Sequence, residues 1–287
     1  MEFEMLATGF GGVEGPRLDS RNRLYFSDLT DGGVYRRSPD GTIETLIPGR
    51  RGVGGMAFNA GDNLLVTGKT VALWNEHSGE LRDVFAGLAG RAFSHFNDLT
   101  VDASGRVFVG TVNGEADDPL EVPKAPGDLY RLDPGGRATL VWENIGTSNG
   151  MAFSPDGKLL YHCDSQPGHV MVYDVTADGE LRDRRVFAKV TEGMTDGMTV
   201  DAEGGVWVAA ILGGMVQRFR SDATLDRSIT MPQKKVLSVV FGGPDFCDLY
   251  VVTGQSRRMR GSIYRTRTDI PGLPLPLARL DASSRRD

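Results

Sequence analysis

Apolar and polar positions repeat along the chain in six segments of similar pattern. Each segment opens with a short apolar stretch, passes through a turn rich in Gly, Asp or Asn, and continues as a second apolar run. The segments are EGPRLDSRNRLYFSD from Glu14, GGMAFNAGDNLLVTG from Gly54, NDLTVDASGRVFVGT from Asn97, NGMAFSPDGKLLYHCD from Asn149, DGMTVDAEGGVWVAA from Asp196 and SVVFGGPDFCDLYVVTG from Ser238. Turns such as Asp156-Gly157 favour hairpins, because Gly and Asn readily adopt the positive φ angles of tight hairpin turns. The pattern predicts six β-hairpins.

Two further strands follow each hairpin. The third begins with Gly and continues as an aromatic or β-branched run, as in GGVYRRS from Gly32 and GDLYRLD from Gly127, with TVALWNE from Thr70 in the second repeat. Apolar runs such as residues 138–142 supply the fourth. Four strands in a repeat of about 40 to 50 residues are typical of a β-propeller. We therefore predict an all-β, six-bladed β-propeller, one domain over residues 1–287, with inner strands starting near residues 14, 54, 97, 149, 196 and 238. The segment after Thr268 and a strand near residues 2–7 are expected to wrap the last blade or close the ring.

The first position of each repeat is the candidate for chemistry. In a propeller the inner strands run along the central channel, so equivalent positions at their starts form a ring. That ring reads Glu14, Gly54, Asn97, Asn149, Asp196 and Ser238. Carboxylate and amide oxygens suit a hard divalent cation, and two carboxylates without a cation would repel each other. The competing interpretation is that Asn and Asp here cap turns. Four such residues in one column favour a metal in the channel.

Composition narrows the class of partner. The formal net charge of −6 argues against a broad nucleic-acid surface, which needs a basic face. The N-terminal sequence is acidic and lacks a long apolar segment, so we expect a cytoplasmic protein without membrane contact. The C-terminal arginines are interpreted as solvated surface. Cys163 and Cys247 are expected to be buried thiols. The sequence does not indicate an oligomeric state.

The motifs in these repeats resemble the regucalcin/gluconolactonase (senescence marker protein) family of lactone hydrolases. They are EGP from Glu14, FNDLTVDASGRVFVGT from Phe96, SNGMAFSPDGKLLYHCDS from Ser148, TDGMTVDAEGGVWVA from Thr195 and VVFGGPDFCDLYVVT from Val239, which cover essentially the whole chain in order. The resemblance implies a metal held by Glu14, Asn149 and Asp196, with Asn97 contacting substrate or joining the metal through water. It also implies one divalent ion, calcium, zinc, magnesium or manganese, and a small-molecule lactone as substrate.

Two positions depart from the family pattern. Sugar-lactone members carry Arg two residues before the FND asparagine, where this chain has His95, and they place a Glu on the loop before the third strand, where Glu121 is two residues out of register. Both differences weaken the expectation of an aldonolactone. We still expect His95, Asn97 and Glu121 to bind substrate. Asp164, in YHCDS, is expected either to support the metal site or to cap a turn.

The predicted reaction is metal-dependent opening of a cyclic ester by water. The metal would polarise the carbonyl, and Asp196 is the candidate general base. Two alternatives stay open. One is a phosphotriesterase resembling diisopropyl-fluorophosphatase and paraoxonase, which use a similar Glu/Asn/Asn/Asp site on this fold. The other is a non-catalytic binding propeller in which calcium only stabilises the blades.

Overall fold

Six four-stranded antiparallel sheets make up the fold. The structure, a computed structural model, describes residues 2–113 and 125–281 of the 287-residue chain. In five sheets the strands follow each other in chain order, which defines blades 1 to 5. The sixth sheet combines the last three strands with the first strand of the chain. The all-β, six-bladed prediction is confirmed.

The first three blades occupy the N-terminal half of the chain. Blade 1 consists of β2 (Val13–Leu18), β3 (Leu24–Asp28), β4 (Val34–Arg37) and β5 (Ile43–Ile47). Blade 2 consists of β6 (Met56–Asn59), β7 (Asn63–Val66), β8 (Val71–Asn75) and β9 (Leu81–Phe85). Blade 3 consists of β10 (His95–Val101), β11 (Val107–Val112), β12 (Gly127–Leu132) and β13 (Ala138–Ile145).

The remaining blades follow in order. Blade 4 consists of β14 (Ser148–Phe153), β15 (Leu159–Asp164), β16 (His169–Val175) and β17 (Leu181–Lys189). Blade 5 consists of β18 (Met194–Val200), β19 (Val206–Ile211), β20 (Met215–Phe219) and β21 (Leu225–Thr230). Blade 6 consists of β22 (Val236–Gly242), β23 (Asp248–Thr253), β24 (Gly261–Arg267) and β1 (Glu4–Phe10). The inner strands begin within two residues of the expected positions.

The hydrophobic core lies between the blades. Each of six apolar clusters in the described part of the chain combines residues of two neighbouring blades. Between blades 5 and 6, for example, Trp207 meets Phe241 edge to face, with ring centroids 5.5 Å apart. Burying apolar area on both faces of every blade is the main stabilising term of such a ring.

The N-terminal strand closes the ring. β1 pairs antiparallel with β24, so the last blade takes its outer strand from the start of the chain. Phe10, at the end of β1, packs edge to face against Phe26 of blade 1 at 5.0 Å and against Tyr35 at 5.5 Å. The strand expected near residues 2–7 therefore joins blade 6 to blade 1.

The segment after Thr268 does not share this closing role. It pairs with blade 5 at Gly272, opposite Asp201, and with blade 2 at Ala278, opposite Asn59. Asn59 fixes its end by donating to the Leu280 carbonyl at 3.1 Å and accepting from the Leu280 amide at 2.8 Å. The segment thus crosses between blades on the side where the inner strands end.

The two cysteines differ in burial. Cys163 is buried and Cys247 is half-buried, and both are free thiols, so the expectation of burial is right for the first and wrong for the second. Among the residues that the structure describes, no helix has the length and apolar character needed to span a membrane.

We expect Phe10→Ala to lower the free energy of unfolding by about 2–3 kcal/mol, because it removes a half-buried ring at the closure seam. Urea denaturation measures this. The control is Met5→Ala on the same strand, whose side chain is 53% exposed and should change stability by no more than about 0.5 kcal/mol. Equal effects of the two variants would contradict the importance of the seam.

Candidate active site

Irregular pairing marks the inner strands at the predicted ring position. Register shifts occur between Glu14 and Arg17, Phe96 and Leu99, Ser148 and Met151, Thr195 and Met198, and Val236 and Ser238. Such β-bulges bend a strand and reorient side chains, and they are common beside active sites. In β2 the bulge uses Gly15, whose φ of +55° favours glycine. The bulges place the ring residues outside the regular alternation of the strands.

Glu14 and Asp196 meet at the ring although they belong to blades 1 and 5. Their relative exposures are only 6% and 5%. Burial, and then repulsion by Asp196, raises the pKa of Glu14 well above its usual range. Burial likewise raises the pKa of Asp196, whose carboxylate also shares a hydrogen bond with the side chain of Asn149. The three predicted metal ligands therefore lie together.

Asn97 joins this group through a fixed amide. Its Nδ2 donates to the Ser148 carbonyl at 2.8 Å. Its Oδ1 occupies space beside Gly54, where an added Cβ would come within 2.1 Å of that oxygen. The glycine of the ring column thus makes room for the asparagine of the next blade. The bond to Ser148 uses one of the two Nδ2 hydrogens and fixes the amide, and Oδ1 remains an acceptor.

The structure adds a third carboxylate that the sequence reasoning missed. Asp98 is buried, and burial raises its pKa to about 6 while Arg17 opposes the shift. Its Oδ1 lies 3.8 Å from an Arg17 guanidinium nitrogen, and the same guanidinium donates to the Leu99 carbonyl at 3.3 Å. Strand alternation alone gave Asp98 no role, since it is adjacent to Asn97. The bulge between Phe96 and Leu99 allows both Asn97 and Asp98 to lie near the other ring residues.

The other predicted residues have mixed placements. His95 is buried, and burial lowers its pKa; its Nδ1 has no hydrogen-bond partner among the described residues. Glu121 lies outside the described residues, which are interrupted between Asn113 and Ala125. Asp164 accepts from the Gly146 amide at 3.3 Å and the Thr147 amide at 3.0 Å. Of its two expected roles, the structure shows loop capping immediately before Ser148.

These donors fit a divalent cation. Buried carboxylates in proteins are normally paired with a cation or bound to a metal. Within residues 2–113 and 125–281, no three His, Cys, Asp or Glu side chains gather into a metal site by themselves. The predicted set is instead two carboxylates, Glu14 and Asp196, completed by amide oxygens. Oxygen donors of this kind suit calcium, magnesium or manganese.

A cavity of about 640 Å³ lies at the other end of the inner strands. Its lining includes Thr100, Phe153, Val200 and Val240, near the ends of their strands, and the crossing segment at Leu273–Pro276. The ring residues stand at the starts of those strands. This cavity is therefore separate from the predicted metal ligands, and Arg17, which pairs with Asp98, also lines it.

Comparison with known proteins decides the family. The family model described as "SMP-30/Gluconolactonase/LRE-like region" matches residues 13–255, a range that includes Glu14, Asn97, Asn149 and Asp196. The chain belongs to this family. A 6-deoxy-6-sulfogluconolactonase of Pseudomonas putida is 32% identical over 270 residues, covering 88% of this chain and 90% of the relative.

Two further similarities agree with this SMP-30/gluconolactonase membership. A pentonolactonase of Haloferax volcanii is 32% identical over 245 residues, covering 80% of this chain and 77% of the relative. A solved luciferin-regenerating enzyme has a TM-score of 0.89 and 24% identity, covering 97% of this chain and 99% of the other. The latter supports the propeller fold alone.

When a chelator keeps the protein free of metal, we expect Glu14→Gln to raise the free energy of unfolding at pH 7 to 8. The raised pKa means that ionising Glu14 disfavours the folded state, and the amide removes that charge. The gain should shrink as the pH falls towards about 4, where the unfolded glutamate is protonated too. Urea denaturation across this pH range measures the effect. Exposed Glu80→Gln is the control, and an equal gain there would contradict buried repulsion as the cause.

Proposed function

We propose that the chain is a divalent-metal-dependent hydrolase that opens a lactone to a hydroxy acid. The observation that carries the proposal is the convergence of buried Glu14 and Asp196 with the amides of Asn149 and Asn97. The relatives named for 6-deoxy-6-sulfogluconolactone and pentonolactone hydrolysis support a cyclic ester as the substrate class.

Glu14, Asn149 and Asp196 would hold the cation. A divalent ion bound there supplies Lewis-acid polarisation of the ester carbonyl, an effect worth several kcal/mol in such enzymes. The two carboxylates balance its charge. Asn97, whose amide is held by the bond from Nδ2 to the Ser148 carbonyl, would offer its Oδ1 towards substrate hydroxyls or ordered water. Arg17 pairs with Asp98 and limits the negative charge below the ring.

Asp196 is the proposed general base. Its carboxylate accepts a proton from the attacking water while the water oxygen bonds to the carbonyl carbon. The bond between that carbon and the lactone's own ring oxygen then breaks, and the proton passes from Asp196 to the departing alkoxide. The product is the open hydroxy acid, with all atoms of ester and water retained. His95, with its buried and unpartnered Nδ1 among the described residues, is proposed to face the substrate.

We expect purified protein to hydrolyse lactones with added Mn²⁺, Ca²⁺, Mg²⁺ or Zn²⁺ and to lose that activity in chelator. Asp196→Asn should lower kcat by about 10²–10⁴-fold, because a general base contributes about that much. A pH-indicator assay over sugar, aliphatic and aromatic lactones measures both. Exposed Asp178→Asn is the matched control and should retain full activity.

Turnover of organophosphate triesters and thermal melting with added cation, measured beside lactone turnover, separate the alternatives. Faster turnover of organophosphate triesters than of any lactone would favour the phosphotriesterase interpretation. A cation that raises the melting temperature without turnover of lactone or triester would favour the binding propeller. Full lactone activity of Asp196→Asn with metal bound would refute the proposed base.

A further inference from the structure

A buried Ser–His pair next to the ring has no role in the proposed reaction. The Ser148 hydroxyl and His162 Nε2 are 2.8 Å apart, and both side chains are fully buried. In blade 1 the equivalent positions, matched by strand pairing, are Val13 and Phe26. On the same face of the second strand, the other blades have Val66, Val109, Val208 and Val251 where blade 4 has His162. The scaffold therefore accepts apolar residues here. A polar pair in one blade calls for a reason other than folding.

Ser148 is fixed from two sides. His162 contacts its hydroxyl within blade 4, and Gly110 of blade 3 makes space for it from across the blade interface. A Cβ added at Gly110 would lie 1.7 Å from the Ser148 Oγ. The serine side chain is thus enclosed between two blades, with the histidine as its hydrogen-bond partner.

Both asparagines of the proposed site depend on Ser148. Its carbonyl accepts the Asn97 Nδ2 at 2.8 Å, and its next residue along the chain is Asn149. Ser148 pairs with Asp164, and the bulge follows it, so regular pairing is interrupted at the Ser148–Asn149 peptide. The loop before it is held by Asp164. The Ser148–His162 hydrogen bond adds a side-chain anchor where the regular pairing stops.

His162 is suited to this task because it stays neutral. Burial, and then the charge of Arg184, lowers its pKa to about 3. Its Nδ1 has no partner in the described part of the chain, so the Ser148 contact is its hydrogen bond there. The His162 imidazole also lies near the Tyr173 phenol, with ring centroids 6.2 Å apart.

We propose that His162 is a positioning residue for the hydrolytic site, holding the Ser148 hydroxyl so that Ser148 orients Asn97 through its carbonyl and Asn149 through the adjoining peptide. The inference rests on the proposed function for its effect on turnover. Its effect on cation binding can be measured separately. Asparagines that lose this support would bind the cation and substrate less well.

The test is a double-mutant cycle with a rescue variant. We expect His162→Phe and Ser148→Ala each to lower kcat/KM for a lactone and to weaken Mn²⁺ binding by about 10-fold or more, as is usual for groups that support metal ligands. The double variant should be no worse than the poorer single variant. His162→Gln, whose amide can replace Nε2, should recover both values to within about threefold of wild type. Tyr173→Phe, which removes a neighbouring buried hydroxyl, is the control and should change neither.

Isothermal titration with Mn²⁺ and initial-rate kinetics give the two readouts. Unchanged Mn²⁺ affinity and kcat/KM in His162→Phe would overturn the inference, as would multiplying effects of the two single variants. An equal loss in His162→Gln would also overturn it, since that indicates packing rather than hydrogen bonding. Wild-type protein that binds Mn²⁺ but opens no lactone would refute the proposed function alone, because the cycle can still be read from Mn²⁺ affinity.

Discussion

The pairing of β1 with β24 is the constraint on which the rest of the structure depends. Each blade buries its faces only against its two neighbours, so an open ring would leave two apolar faces in water. Closure brings six inner strands around one axis and fixes the distance between side chains that are far apart in sequence. Glu14 and Asp196 can face each other across the channel only because every interface between them is packed. Apolar burial between blades thus offsets the electrostatic cost of two enclosed carboxylates.

The positions of the charged side chains at the ring depend on the β-bulges of the inner strands as well as on residue type. The bulges at Glu14, Asn97, Asn149 and Asp196 interrupt regular pairing where the polar side chains stand. Regular strands would present alternate residues to opposite faces. With a bulge, the neighbouring residues Asn97 and Asp98 can both lie at the ring. Ser148 holds Asn97, and Arg17 pairs with Asp98. The result is a polar ring at the starts of strands whose later residues are mostly apolar.

The repeat pattern was sufficient to predict the six blades, the starts of the inner strands and the grouping of Glu14, Asn149 and Asp196, because propeller symmetry converts sequence alignment into spatial position. It could not predict which chain end closes the ring, since both the first strand and the segment after Thr268 are apolar enough to do so. Asp98 and Arg17 were missed because strict alternation hides a bulge. His162 was missed because its meaning depends on Ser148 and Gly110, which meet only across a blade interface. An ungapped alignment of the repeats places Ser27 and Thr67 in the same column as His162, so the apolar character of its true equivalents, such as Phe26 and Val66, is visible only from the strand pairing.

The joining of the first strand to the last blade also bears on the order of folding. Glu4 and Arg265 form an ion pair across 261 residues of sequence, so β1 has no partner until nearly the whole chain has been synthesised. Such long-range pairing slows folding. The earlier blades can stack as they emerge from the ribosome, but the channel acquires its final diameter only at this last step. The site is therefore assembled at the end of biosynthesis, and a chain without β1 would carry Glu14, Asn97, Asn149 and Asp196 without holding them together.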